Sequence, residues 1–243
     1  MRSFLVTAFL GCAVILVACG GDTGSGEQPT ATTIDFEAAA QRLVPDAVFS
    51  AEDLPGYEQS ADDGLPTQVS LSDECDIFDP AVVFPDAVAT ADSGAYESAL
   101  DDQIFSLAGV YRSADEASAA LAGSRDFIVR CEDEFENAVE QVALDFLKGF
   151  GIDLGPLATI DVAIIGFDPT AVGDEIVGYR MHVNVNLILT SQQYNLDAVI
   201  VREGRVVGAL IYGRFGEPAV SIEAELLTLM AGKLLAVNAS LPE

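Results

Sequence analysis

Side chains suited to proton transfer, nucleophilic attack or metal ligation are sparse in this chain. It has one histidine, His182. A histidine-based triad has to be built around that residue, and no G-x-S-x-G elbow or comparable nucleophile setting accompanies it. Of the four cysteines, Cys12 and Cys19 lie near the N-terminus, and Cys75 and Cys131 are far apart in sequence. With a single histidine, that spacing matches no zinc pattern. The chain has no P-loop, no G-x-G-x-x-G turn and no EF-hand loop. The expectation is therefore no catalytic residue, no cofactor and no metal. Carboxylates are abundant, so their presence alone says little. "SDECDIFD" (72–79) and "CEDEFE" (131–136) offer oxygen ligands of the kind calcium takes, but neither has the spacing of a known loop. A solvated acidic face accounts for them equally well.

The most distinctive polar set is His182, Asn184 and Asn186. It lies in "VGYRMHVNVNLIL" (177–189), where Met181, Val183, Val185, Leu187 and Leu189 alternate with it. Side chains on a strand alternate between faces, so this stretch predicts a half-buried antiparallel strand with the polar trio on one side. Two readings follow. The trio lines a ligand cleft, with the amides supplying hydrogen bonds and His182 a pH-sensitive contact. Or it is the wet side of the sheet, which alternation alone predicts.

The elements that must carry this strand can be read along the chain. "TTIDFEAAAQRLVP" (32–45) has helical spacing at Phe36, Ala39, Ala40 and Leu43, with Pro45 as a stop. Thr67–Leu71 is a candidate strand, and "QIFSLAGVYR" (103–112) is a clearer one. Ser113 and Glu116 form an S-x-x-E capping box, which starts a helix. On that helix Ala117, Leu121, Ile128 and Cys131 share a face, turning Cys131 inward towards Cys75. A second helical pattern runs through Phe135, Val139, Val142, Phe146 and Phe150, and Gly149, Gly151 and Gly155-Pro156 end it. Four strands' worth of sequence then follow: 158–167, 177–189, and 196–213, which reads as a hairpin around Glu203-Gly204 and so supplies two of the four. "PAVSIEAELLTLMAGKLLAVNASL" (218–241) closes the chain as a helix with a broad apolar face at Ile222, Leu226, Leu229, Met230 and Leu234. Consecutive strands on short loops predict an antiparallel sheet with helices on its faces, a single α+β domain over 34–243.

The N-terminus concerns location. Arg2 is followed by an apolar run, Phe4–Ala18. That run is shorter than the roughly 20 residues a spanning helix needs, and its charged start and small-residue end fit a secretory signal peptide. Its close, Leu16-Val17-Ala18-Cys19, resembles the lipobox of bacterial lipoproteins. On that reading residues 1–18 are removed and Cys19 carries acyl chains that hold the protein on the outer face of a bacterial cell membrane. An ordinary signal peptide or a short uncleaved anchor are the alternatives. Residues 19–33, "CGGDTGSGEQPTATT", read as a flexible tether.

The net charge is −28, from 11 Lys+Arg against 39 Asp+Glu. Such a surface repels nucleic acid and anionic headgroups, so nucleic acid is excluded as a partner. The acidity reads either as a cation-attracting surface or as a solvated coat. In an exported domain, Cys75 and Cys131 are candidates for one disulfide, with two buried thiols as the alternative.

From 51 onward the chain is similar to the extracellular sensor domain of mycobacterial serine/threonine kinases. The likeness rests on "DLPG" (53–56), "YRSADEASAALAGSRDFIVRC" (111–131), "LDAVIVREGRVVGALIYG" (196–213) and "EAELLTLMAGKLLA" (223–236). It implies a twisted antiparallel β-sheet flanked by α-helices, a cleft for an unidentified ligand, and no enzymatic activity. Members with four domain cysteines carry two bridges, whereas two cysteines here allow at most one. No kinase segment or membrane helix accompanies the domain.

Three functions remain in view. The first is a tethered, non-catalytic binding module for a small molecule or protein. The second is a carrier of a lipid or other hydrophobic molecule, walled by 222–235 and by Phe135, Phe146 and Phe150. The third is an enzyme working with carboxylates alone, such as a glycosidase pair, which the lack of Trp disfavours.

Overall fold

The alternation around His182 is realised as a long strand, and its neighbours follow from the register. The computed structural model describes residues 35–60, 71–100, 102–149, 158–187 and 190–243. Seven strands form one open antiparallel sheet: β1 (Tyr57–Gln59), β2 (Ala89–Ser98), β3 (Gln103–Val110), β4 (Ala158–Phe167), β5 (Glu175–Leu187), β6 (Thr190–Glu203) and β7 (Val206–Phe215). Their spatial order is β1-β2-β3-β7-β6-β5-β4. The helices are α1 (Phe36–Leu43), α2 (Pro80–Val83), α3 (Ala114–Gly149) and α4 (Val220–Ser240). This is the expected single α+β domain with helices on both faces of an antiparallel sheet.

Side-chain parity sorts the two cores. Val199 and Val201 of β6 and Val206, Leu210 and Tyr212 of β7 face α1 and α4, where Leu226, Leu227, Met230 and Leu234 bury against them. Val207, Ala209 and Ile211 of β7 face the other way, onto Ala117 and Leu121 of α3. Further along α3, Cys131 and Phe135 pack on Met181 and Val183 of β5. Each fully buried large apolar side chain contributes about 1.5–3 kcal/mol, so the central strands β3, β7 and β6 anchor both layers. The apolar stripe of α4 is therefore core, as is Phe135. Phe150 and the side chain of Phe146 lie outside the described residues, as do 67–70 of the Thr67–Leu71 candidate strand.

Three local expectations change. The two helical patterns after Ser113 are one helix of 36 residues. No proline interrupts them, and the charged stretch 132–134 lies on its solvent side without breaking it. Its start is capped as expected: the Glu116 N–H donates to Ser113 Oγ at 3.1 Å, and the Arg112 N–H donates to the Glu116 carboxylate at 3.0 Å. β2 was not expected, because "ATADSGAYES" has little β-branched character. It is held by pairing to β3, with an irregularity between Asp92 and Ala95. At Pro45 the chain does not stop outright but tightens into one 3-10 turn, Val44–Ala47.

The β6–β7 turn needs its glycine. Gly204 has φ +57°, and a Cβ there would run into the Asn238 side chain, which accepts the Arg205 N–H at 3.0 Å. Gly204→Ala is expected to lower stability by about 1–3 kcal/mol, read as a shifted urea midpoint.

Candidate functional site

The polar trio sits where the helical cover runs out. Arg180, His182, Asn184 and Asn186 share one face of β5, opposite Met181, Val183 and Val185, which face α3. On the polar face α4 lies over β6 and β7. Beyond the α4 start, the rows of β4, β5 and β6 carry polar groups. Asp161, Asn184 and Gln193 form one cross-strand row, and Thr159, Asn186 and Ser191 the next.

His182 is positioned rather than free. Its β6 partner in the register is Asn195, which is 1% exposed. Asn195 Nδ2 donates to the Gly216 carbonyl at 2.5 Å, leaving Oδ1 to accept from His182 Nδ1 at 2.5 Å. With Asn195 Oδ1 as the acceptor, the Nδ1–H faces it and Nε2 is left for an outside partner. Gln193 Nε2 adds a second bond to Asn195 Oδ1 at 3.3 Å. Asn186 Nδ2 donates to Asp161 Oδ2 at 3.1 Å, which fixes its amide and turns its oxygen to other partners. The side-chain amide of Asn184, between them, makes no hydrogen bond with another described residue.

At the inner end of this face lies a cluster that sequence reading missed. Arg180 holds Asp197 with two bonds, Nε to Oδ1 at 2.5 Å and Nη2 to Oδ2 at 2.6 Å, and reaches Glu223 of α4 at 3.4 Å. Its guanidinium also stacks on Phe167, 4.5 Å from the ring centre. Asp197 and Glu223 are 2% and 4% exposed. Burial pushes the Glu223 carboxyl up to about 7, reinforced by its hydrogen bond to Asp197 and that group's charge, while Arg180 opposes the rise. The hydrogen bond to Asp197 and that charge also keep Arg180 firmly protonated.

This arrangement supports recognition better than the other chemistries considered. Opposite His182 stand Ala163 on β4 and Asn195 on β6, so neither cross-strand neighbour offers the imidazole a nucleophile. Asp197 and Glu223 both pair with Arg180 and are sealed from solvent, so neither carboxyl is open to a glycoside. Among the described residues no group of three or more His, Cys, Asp or Glu is arranged to hold a metal. Carboxylates of the two acidic stretches have local duties. Glu134 accepts from the Ser72 N–H and hydroxyl, and Asp79 caps α2.

The described cysteines meet as expected. Cys75 and Cys131 form a disulfide that staples the segment before α2 to the middle of α3. Close by, between α3 and the sheet, is an apolar cavity of about 60 Å³ lined by Phe127, Ile128, Phe135, Met181 and Ile211, among others. The Tyr179 hydroxyl is buried in its wall with no partner among the described residues. A space of that size is far short of a lipid chain, and its apolar lining offers a water too few polar partners.

No protein-family model matches the chain. No curated protein matches it in sequence. Among solved structures it is similar to the extracellular domain of PknH from Mycobacterium tuberculosis, with 10% identity and a TM-score of 0.31, over 60% of this chain and 62% of that one. A likeness of that size fixes neither ligand nor activity.

Proposed function

We propose that this chain is an exported lipoprotein, held by acyl chains on Cys19 to the outer face of a bacterial membrane, that displays a non-catalytic, sensor-like binding domain. The observation that carries the binding reading is the uncovered polar row of β5. A buried asparagine pre-orients His182, and the Asn184 amide beside it has no partner among the described residues. A wet sheet face does not need a buried residue to orient its histidine. The anchor reading rests on the lipobox-like Leu16-Val17-Ala18-Cys19. Among the described residues no helix is long and apolar enough to cross a membrane.

The two ends of the domain suit this arrangement. Phe36, at the start of α1, lies under Arg205 beside the β6–β7 turn. Asn184 pairs with Gln193, which lies some ten residues along β6 from that turn, about 33 Å at strand rise. The start of α1 and the polar row therefore lie towards opposite ends of β6.

The test is native mass spectrometry of the chain purified from its own host, followed by denaturing mass. Bound mass that leaves on denaturation is expected, together with acyl increments on Cys19. Asn184→Ala is expected to shed the bound mass with less than about 0.5 kcal/mol change in stability, the usual range for a substitution away from structural contacts. Asn195→Ala is expected to cost about 1–3 kcal/mol, because it strips partners from His182 and the Gly216 carbonyl. A bare domain, or an Asn184→Ala protein that keeps its ligand, would sink the assignment to this face. Release of a Cys19→Ser protein from the membrane checks the anchor separately.

A further inference from the structure

The sheet has two outer strands, and they are unlike. β1 is only three residues long, and short edges resist pairing with foreign chains. β4 is ten residues long and pairs with β5 in an unbroken register from Ala158↔Leu187 to Phe167↔Gly178. Among the described residues no strand pairs with its other edge. Natural edges are blunted with lysine, proline, bulges or several charges. "ATIDVAIIGF" has no lysine and no proline, carries one charge, Asp161, and leaves Ile165 45% exposed. An edge of that length and character is a template for an added strand.

We propose that the free edge of β4 docks an extended segment of another protein, added as a further strand through main-chain hydrogen bonds. The two faces of β4 specify its chemistry. Ile160, Val162 and Ile164 continue the apolar core under α3, so alternate residues of the guest are apolar. Thr159, Asp161 and Ala163 lie on the polar face, so the intervening guest residues carry hydroxyls or a positive charge to meet Asp161. The net charge of −28 favours a neutral or basic guest and opposes a second copy of this chain. Area argues the same way. A ten-residue edge offers a strip of about 33 Å by 10 Å, roughly 330 Å² per partner. That is well below the roughly 800 Å² per partner of a stable protein pair, but a peptide bound along its backbone needs no more. The edge does not involve His182 or Asn184, so this inference and the ligand reading of the polar row can fail separately.

The probe is a synthetic, end-blocked peptide of sequence Lys-Val-Thr-Val-Lys-Val-Thr-Val, added to the full chain. Hydrogen exchange is expected to slow at least tenfold within 158–167, and Ile165→Lys to weaken binding at least tenfold. Because that variant also changes the strand itself, a second measurement uses the unaltered protein with two peptides N-methylated at odd or at even positions. Only one edge of the guest faces β4, so one of the two binds and the other does not. Peptides that bind alike or fail alike overturn the proposal, as does unchanged exchange in 158–167 at millimolar peptide. Protection of 158–167 that grows with protein concentration in the absence of peptide assigns the edge to a second copy and overturns it too.

Discussion

Arg180→Met is expected to lower the stability of the domain by about 3–5 kcal/mol, the range for breaking a buried ion pair from one side. The guanidinium stands between two carboxyls that are almost fully buried. Removing it leaves Asp197 and Glu223 facing each other without a cation, and the methionine replaces the stacking on Phe167 but not the hydrogen bonds. Urea denaturation at neutral pH measures the loss. A change below about 1 kcal/mol would show that water reaches the cluster and screens it as at a surface pair.

The same cluster sets a pH dependence of defined sign. The Glu223 carboxyl is pushed from its usual 4.5 up to about 7 in the folded chain. Below about 4.5 it is protonated in both folded and unfolded states. As pH rises through that value the unfolded chain loses the proton first, so this group's contribution to stability declines up to about pH 7 and is flat beyond. Glu223→Gln keeps a donor for Asp197 and cannot ionise. Its stability relative to the parent is expected to climb between pH 4.5 and 7, by up to about 2–3 kcal/mol. Subtracting the two profiles removes the background of the other carboxylates. A difference that is flat with pH would mean that Glu223 is already ionised in the folded domain throughout.

Loss of the disulfide is the second large effect. Cys75 and Cys131 are 56 residues apart. Closing a loop of that length restricts the unfolded chain by about 4 kcal/mol in the chain-entropy account. The Cys75→Ser, Cys131→Ser protein is therefore expected to lose about 3–4 kcal/mol, with a similar loss on reduction of the parent. The damage has a location. Without the bridge, the segment from Leu71 to α2 is held to α3 by the Glu134–Ser72 bonds and by apolar contacts of Ile77. Amides of 71–84 and of α3 near Cys131 should exchange faster, while β3, β6 and β7, buried between both helical layers, keep their protection. Uniform loss of protection would mean that the bridge is needed for the whole fold.

Periodicity made much of this molecule readable without coordinates. Strict alternation located β5 and sorted its residues between a core face and a polar face. Spacing along 113–131 placed Cys131 on an inward face of α3, and the bridge to Cys75 followed. The closing helix and the hairpin before it were legible for the same reason: each follows from the repeat of its own local geometry. β2 was not legible, because its small and polar residues have no strong preference of their own and its neighbour β3 imposes the strand.

The site was legible only in part, and the division is physical. A period of two says which side of a sheet a residue faces, but not which residue stands beside it. His182, Asn184 and Asn186 could be put on one face from sequence. Asn195, which orients His182, and Glu223, which closes over Arg180 and Asp197, could not, because strand register and the seat of α4 on the sheet decide those encounters. Local repeats thus carried the strongly periodic elements and their buried faces. Packing and register settle which polar groups meet, which are sealed from water, and which sheet edge has no strand paired to it among the described residues.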